Sequence, residues 1–221
     1  MNRPRNREAA FLAAMTASAT HEVRNVLAII KESAGLIEDL IQMGARRGGV
    51  DEEKVGRAVD RIELQVKRGA DILTNLNRLS HTLDQERATV DLEQEVEQTV
   101  FLSQRFARKK GHEVVAGKGG GAGHLVLDPL ALQMVLFSAM ERCLEELPDG
   151  SRIQVSAGRS HQGPVVEFRK EQEEEGALGS FEESPGWDQL LMLAESVGAA
   201  VERAEVGYGI RLLFRDGPGD V

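Results

Sequence analysis

The chain has 221 residues, enough for one large or two small domains, and its 41% apolar content supports a sizeable core. With 4% aromatic residues, that core must be mostly aliphatic. A net charge of −9 argues against general nucleic-acid binding, the single cysteine (Cys143) rules out an internal disulfide, and no apolar run approaches the roughly 20 residues of a membrane span. The expectation is a soluble protein of the reducing cytoplasm with no nucleic-acid or membrane partner. The basic start Met1-Asn2-Arg3-Pro4-Arg5 is not followed by a secretory apolar core, and no sensor span is expected.

Two periods divide the chain. Residues 6–43 read as one helix, with apolar or small residues at Leu12, Met15, Ala19, Val26, Ile29, Leu36 and Leu40. A second row runs beside it through Val23, Leu27, Ile30, Ala34, Ile37 and Ile41. Residues 44–50, Gly44 to Val50, form a turn, and a second helix follows over 51–85 with a seam at Val55, Val59, Ile62, Val66, Leu73, Leu76, Leu79 and Leu83. Two long helices joined by a short turn make an antiparallel hairpin. A lone hairpin cannot cover so wide a stripe, so a second copy is expected to complete a four-helix bundle as a homodimer.

Beyond Gln85 helices and strands alternate. A helix is expected over 92–109, short strands at His112–Val115 and His124–Leu127 around a glycine-rich segment, and a helix over 129–147 capped by Asp128 with Pro129 at its first position. Strands at Arg152–Ser156 and Val165–Phe168, an acidic loop over 170–186, a helix over 187–197, and strands at Ala200–Glu202 and Ile210–Phe214 complete a two-layer α/β domain. The boundaries are 1–87 for the hairpin and 88–221 for the α/β domain.

His21 stands apart from this pattern. At about 100° per residue it lies opposite the apolar stripe of its helix. Glu22 follows it and Asn25 shares its outward side one turn on. An exposed histidine on a packed helix suits a residue that reacts with something arriving from outside. Asn25 occupies the place of the second histidine in a His-Glu-x-x-His zinc motif, so no metal is assigned to this chain. Gly117-Lys118-Gly119-Gly120-Gly121-Ala122-Gly123 lacks the Gly-Lys-Ser/Thr ending of a phosphate loop and reads as a flexible connection between strands. Cys143 reads as core.

His21-Glu22-Val23-Arg24-Asn25 resembles the phosphoacceptor box of sensor histidine kinases, with Val26 where that family has proline. The resemblance continues in the second half: Asp128-Pro129-Leu130-Ala131-Leu132-Gln133-Met134-Val135-Leu136 is similar to the start of the kinase nucleotide-binding helix, and Pro148-Asp149-Gly150 to the turn after it. It implies a dimerisation hairpin followed by an ATP-binding-type domain. The chain departs from the family where nucleotide chemistry sits. Ser138 and Arg142 stand in the places of metal- and phosphate-holding asparagines. Residues 169–176, Arg169 to Gly176, replace the adenine-reading Asp-x-Gly-x-Gly loop, and residues 184–190, Ser184 to Leu190, replace the glycine-rich lid. The expectation is a degenerate ATPase domain without cofactor.

The resemblance then implies that His21 takes a phosphoryl group from a phosphorylated receiver domain or a partner kinase and passes it on. A neutral imidazole nitrogen is a competent nucleophile near pH 7. Glu22 can orient the ring or accept its other proton, and Arg24 can contact phosphate or an acidic receiver surface; the resemblance implies that Asn25 orients a water for phosphatase action on a response regulator. The receiver would bring its own acceptor aspartate and Mg2+, and the second domain would serve as a docking surface and ballast. Two other classes stay open: a non-catalytic pseudokinase that sequesters a kinase or regulator, and a divergent active histidine kinase.

Overall fold

The computed structural model describes residues 3–171, 186–203 and 209–215. The chain is a helical hairpin followed by a two-layer α/β sandwich. In chain order the elements are α1 (Arg3–Arg47), α2 (Glu52–His81), a 3-10 turn (Thr82–Asp84), β1 (Ala88–Asp91), α3 (Leu92–Lys109), β2 (Glu113–Ala116), β3 (His124–Leu127), α4 (Pro129–Glu146), β4 (Arg152–Ser160), β5 (Gly163–Lys170), α5 (Trp187–Ser196), β6 (Ala199–Arg203) and β7 (Gly209–Phe214). Two compact units result, Leu12–Arg78 and Met1–Phe11 with Leu79–Val221. No helix among the described residues is long and apolar enough to cross a membrane.

In the first unit, Gly48 ends α1 with φ +84°, a conformation open to glycine, and the amides of Gly48 and Gly49 both return to the Gly44 carbonyl at 3.0 Å. Asp51 then caps α2, accepting from the Lys54 amide at 3.1 Å. The antiparallel register is fixed by charge: Glu22 pairs with Arg68, and Glu32 with Arg61 at 3.5 Å. Ala19, Val26, Ser33 and Leu40 of α1 are buried at seven-residue steps, as are Ala58, Gln65, Ile72 and Leu79 of α2.

The seam expected for α2 is therefore divided. Leu79 is buried, Val55, Ile62 and Leu76 are half-buried, and Val59, Val66, Leu73 and Leu83 are exposed. The row actually buried lies one residue earlier than Val59, Val66 and Leu73, and it includes Gln65. On α1 the second apolar row behaves likewise, with Leu27 and Ile41 exposed. A step of one residue turns about 100° around a helix, and in an antiparallel pair such steps lead to the same side of the hairpin. Leu27, Ala34, Ile41, Val59, Val66 and Leu73 thus share one side. The two cross-hairpin ion pairs take the other.

In the second unit β1 and β3 form an antiparallel pair, and the main sheet runs β2-β4-β5-β7-β6, with β2 parallel to β4 and the rest antiparallel. Two aspartates start its longer helices. Asp91 accepts from the amides of Glu93 and Gln94, and Asp128 from that of Ala131. Leu132, Leu136, Met140 and Cys143 of α4 pack into one core with Ile153, Val155, Phe168, Ile210 and Leu212. A polar knot lies between α3 and α4: the Gln133 amide donates to the buried Glu95 carboxylate, and the Thr99 hydroxyl lies 2.9 Å from Gln133 Oε1. Phe11, at the beginning of α1, meets Phe137 of this unit edge-on at 5.6 Å.

Candidate functional site

Helix α1 presents His21 exposed, on the side of the helix away from the buried row of Ala19 and Val26. Asn25, also exposed, stands one turn on with Nδ2 3.3 Å from His21 Nδ1. The two ends of a primary amide exchange places without moving the side chain. With Nδ2 toward the ring, Asn25 donates to Nδ1 and the proton sits on Nε2. With Oδ1 toward the ring, Asn25 accepts from Nδ1–H, and the Nε2 lone pair faces outward. Only the second arrangement makes Nε2 the nucleophile of a neutral ring.

Glu22 is turned toward α2. Its side chain is 14% exposed and ion-pairs with Arg68, which brings an arginine into the site from the second helix. Arg24 is exposed on the same turn of α1 as His21. The sequence reading missed Arg68. The signal was available in the charges: with the helices folded back at Gly48-Gly49, Glu22 faces Arg68 and Glu32 faces Arg61.

Below His21 and Asn25 on the same side of α1, a concavity of about 580 Å³ is lined by Ala28, Glu32, Gly35, Leu36, Asp39 and Arg61, among others. Ala28 and Glu32 stand seven residues beyond His21 and Asn25, so the surface is continuous with the histidine. Small residues lower its floor, and exposed Leu36 lies among charges.

On α4, Ser138 is buried. Arg142 ion-pairs with Glu145, and its guanidinium lies about 3.0 Å from where a Cβ of Gly186 would be. Burial raises the Glu141 carboxyl above its ordinary range. A guanidinium offers no oxygen ligand to a divalent cation and repels it, where an amide oxygen would bind it. The acidic stretch 172–185, including Ser184 and Pro185, lies outside the described residues.

No family model matches the chain, and no curated protein matches it. Among solved structures, the cytoplasmic segment of histidine kinase QseC is similar at 19% identity and TM-score 0.44, over 69% of this chain and 94% of that one. The ATP-binding domain of PrrB from Mycobacterium tuberculosis is similar at 17% identity and TM-score 0.47, over 61% and 100%. A bacterial phosphotransferase is similar at 16% identity and TM-score 0.45, over 92% and 95%. Likeness at this level carries neither activity nor ligand to this chain.

Proposed function

We propose that this chain is a histidine phosphotransfer protein of a two-component relay. It carries a phosphoryl group on His21 between a phosphorylated receiver or partner kinase and a response regulator, without phosphorylating itself from ATP. Residues 1–87 are the dimerisation and phosphoacceptor hairpin, and 88–221 a degenerate histidine kinase-like ATPase domain. The observation that carries this reading is the geometry of His21: exposed on a packed helix, with Asn25 at Nδ1 and its neighbour Glu22 held by Arg68.

In the forward step His21 Nε2 attacks phosphorus. The N–P bond forms as the bond from phosphorus to the receiver's aspartyl oxygen breaks, and the carboxylate leaves. The proton on Nδ1 stays on the ring, held by Asn25 Oδ1, so the phosphorylated ring is cationic and leaves readily in the return step. A Mg2+ brought by the receiver would neutralise the transferred charge; this chain supplies position. The concavity below His21 suits an amphipathic helix of a receiver, with Leu36 as apolar contact and Glu32, Asp39 and Arg61 as polar ones. Arg24 meets the phosphate or an acidic receiver surface, and Asn25 also orients water for hydrolysis of a regulator's aspartyl phosphate.

The homodimer follows from uncovered apolar rows. Val66 and Leu73 are 56% and 57% exposed, and Leu27 is 58% exposed on the same side. A second copy meeting this side completes a four-helix bundle and leaves His21 outside it. Arg142 and Ser138 support the loss of nucleotide chemistry. Titration calorimetry with Mg-ATP tests that part: the reading expects no saturable heat, and millimolar or tighter binding would return the chain to the kinases. Receiver binding unchanged in His21→Ala, with no phosphoryl transfer in the wild type, would favour the sequestering module instead.

A further inference from the structure

Contacts between two packed helices repeat about every seven residues, and the buried rows of this hairpin keep that step: Ala19, Val26 and Ser33 on α1, Ala58, Gln65 and Ile72 on α2. The charges beside the rows follow the same repeat. Arg61 of α2 lines the concavity below the histidine together with Ala28 and Glu32 of α1, and it pairs with Glu32 at 3.5 Å. Seven residues back along α1 from Ala28 and Glu32 stand His21 and Asn25. Helix α2 runs the opposite way, so the same step leads forward from Arg61 to Arg68. Arg68 therefore holds, beside His21 and Asn25, the place that Arg61 holds beside Ala28 and Glu32.

The two repeats differ in what faces the arginine. Arg61 faces the carboxylate of Glu32, whereas Arg68 faces the amide of Asn25 and meets the Glu22 carboxylate through Nη2. The Glu22 side chain is 14% exposed and that of Arg68 is 42% exposed, so the carboxylate is turned into the hairpin while the guanidinium stays reachable from outside. A guanidinium carries several N–H donors in a fixed fork, and such a fork binds phosphate oxygens as readily as carboxylates. Asn25 Nδ2 lies 3.3 Å from His21 Nδ1, so a phosphoryl group carried by that ring is brought to the same turn as the arginine.

We propose that Arg68 contacts the phosphoryl group as it transfers to His21 and holds it on the ring afterwards. This rests on the reading of His21 as the phosphoacceptor. As the N–P bond forms and the donor's bond to phosphorus breaks, negative charge spreads over the equatorial oxygens of the group. Arg68 donates an N–H to one of them, and Glu22 keeps the guanidinium aimed across from α2. No proton changes place in this contact, because a guanidinium stays charged. The acceptor site is then built from both helices: α1 supplies the nucleophile and its amide, and α2 supplies the cation.

The test uses the full chain with phosphoramidate as donor, so that no partner protein enters. His21 Nε2 attacks phosphorus, the donor's P–N bond breaks and ammonia leaves. Phosphorus-31 spectra should show a phosphohistidine signal on the wild type that His21→Ala lacks. Arg68→Gln should form it roughly tenfold more slowly, the effect of losing one charged hydrogen bond. Arg68→Lys, which keeps the charge without the fork, should fall between the two. The pH midpoint of the phosphoryl signal should lie roughly one pH unit lower in the wild type than in Arg68→Gln, because a neighbouring cation favours the doubly charged group. An arginine that only braces the hairpin would not move that midpoint. An unchanged midpoint or an unchanged rate in Arg68→Gln would overturn the proposal and leave His21 as the phosphoacceptor. No phosphohistidine on the wild type would overturn both.

Discussion

Glu22 and Arg68, 46 residues apart in sequence, form an ion pair across the hairpin. The residue beside His21 is thereby fixed to the second helix, which sets the rotation of α1 and holds the histidine outward. Arg68→Ala is expected to cost about 0.5–1 kcal/mol, because the arginine is partly solvated. The exchanged pair, Glu22→Arg with Arg68→Glu, should recover part of that loss. A urea double-mutant cycle checks it, and strictly additive losses would mean that the pair contributes no coupling.

Asn25 is expected to set the tautomer of His21. In Asn25→Asp the carboxylate can only accept, so the ring should hold its proton at Nδ1. In Asn25→Ala that bias should vanish. Nitrogen chemical shifts of the His21 ring report this directly. The alanine variant should also lose phosphatase action on a regulator more than transfer; equal losses would remove the water-orienting role.

The uncovered side of the hairpin gives a third expectation. Val66→Glu combined with Leu73→Glu places charge where the second copy is proposed to sit, on side chains already exposed in the single chain. Light scattering should then give the mass of one chain with helix content unchanged. A dimer that survives the double change would move the interface elsewhere.

Burial pushes the Cys143 thiol up to about 12. Its reaction with a thiol reagent at pH 8 should therefore occur only through unfolding and accelerate with urea as the folded population falls. The sign for stability follows: because the folded value lies above the unfolded one, the contribution is full below the unfolded thiol's range and is lost as pH rises toward about 12. Rapid labelling in native buffer would contradict this core position.

Much of the architecture was legible because periodicity reports burial. The long helices, α3, α4 opened by Asp128 and Pro129, and six of the seven strands follow from pattern and punctuation. His21's exposure was legible for the same reason. The division of the α2 rows was not, since Val59, Val66 and Leu73 are as apolar as a buried seam and only the partner helix distinguishes them from Ala58, Gln65 and Ile72. Strand β1, Ala88-Thr89-Val90-Asp91, was missed; its pairing with β3 comes from the tertiary fold. The glycine run suggested flexibility by composition, whereas β4 gives its backbone partners.

The most direct measurement is the fate of labelled phosphate on His21. The chain is incubated with labelled Mg-ATP alone and, separately, with a receiver domain carrying a labelled aspartyl phosphate, alongside His21→Ala. The account predicts acid-labile label on the wild-type chain from the receiver only, and none on the variant. Label from ATP alone, or equal label on wild type and His21→Ala, would contradict it.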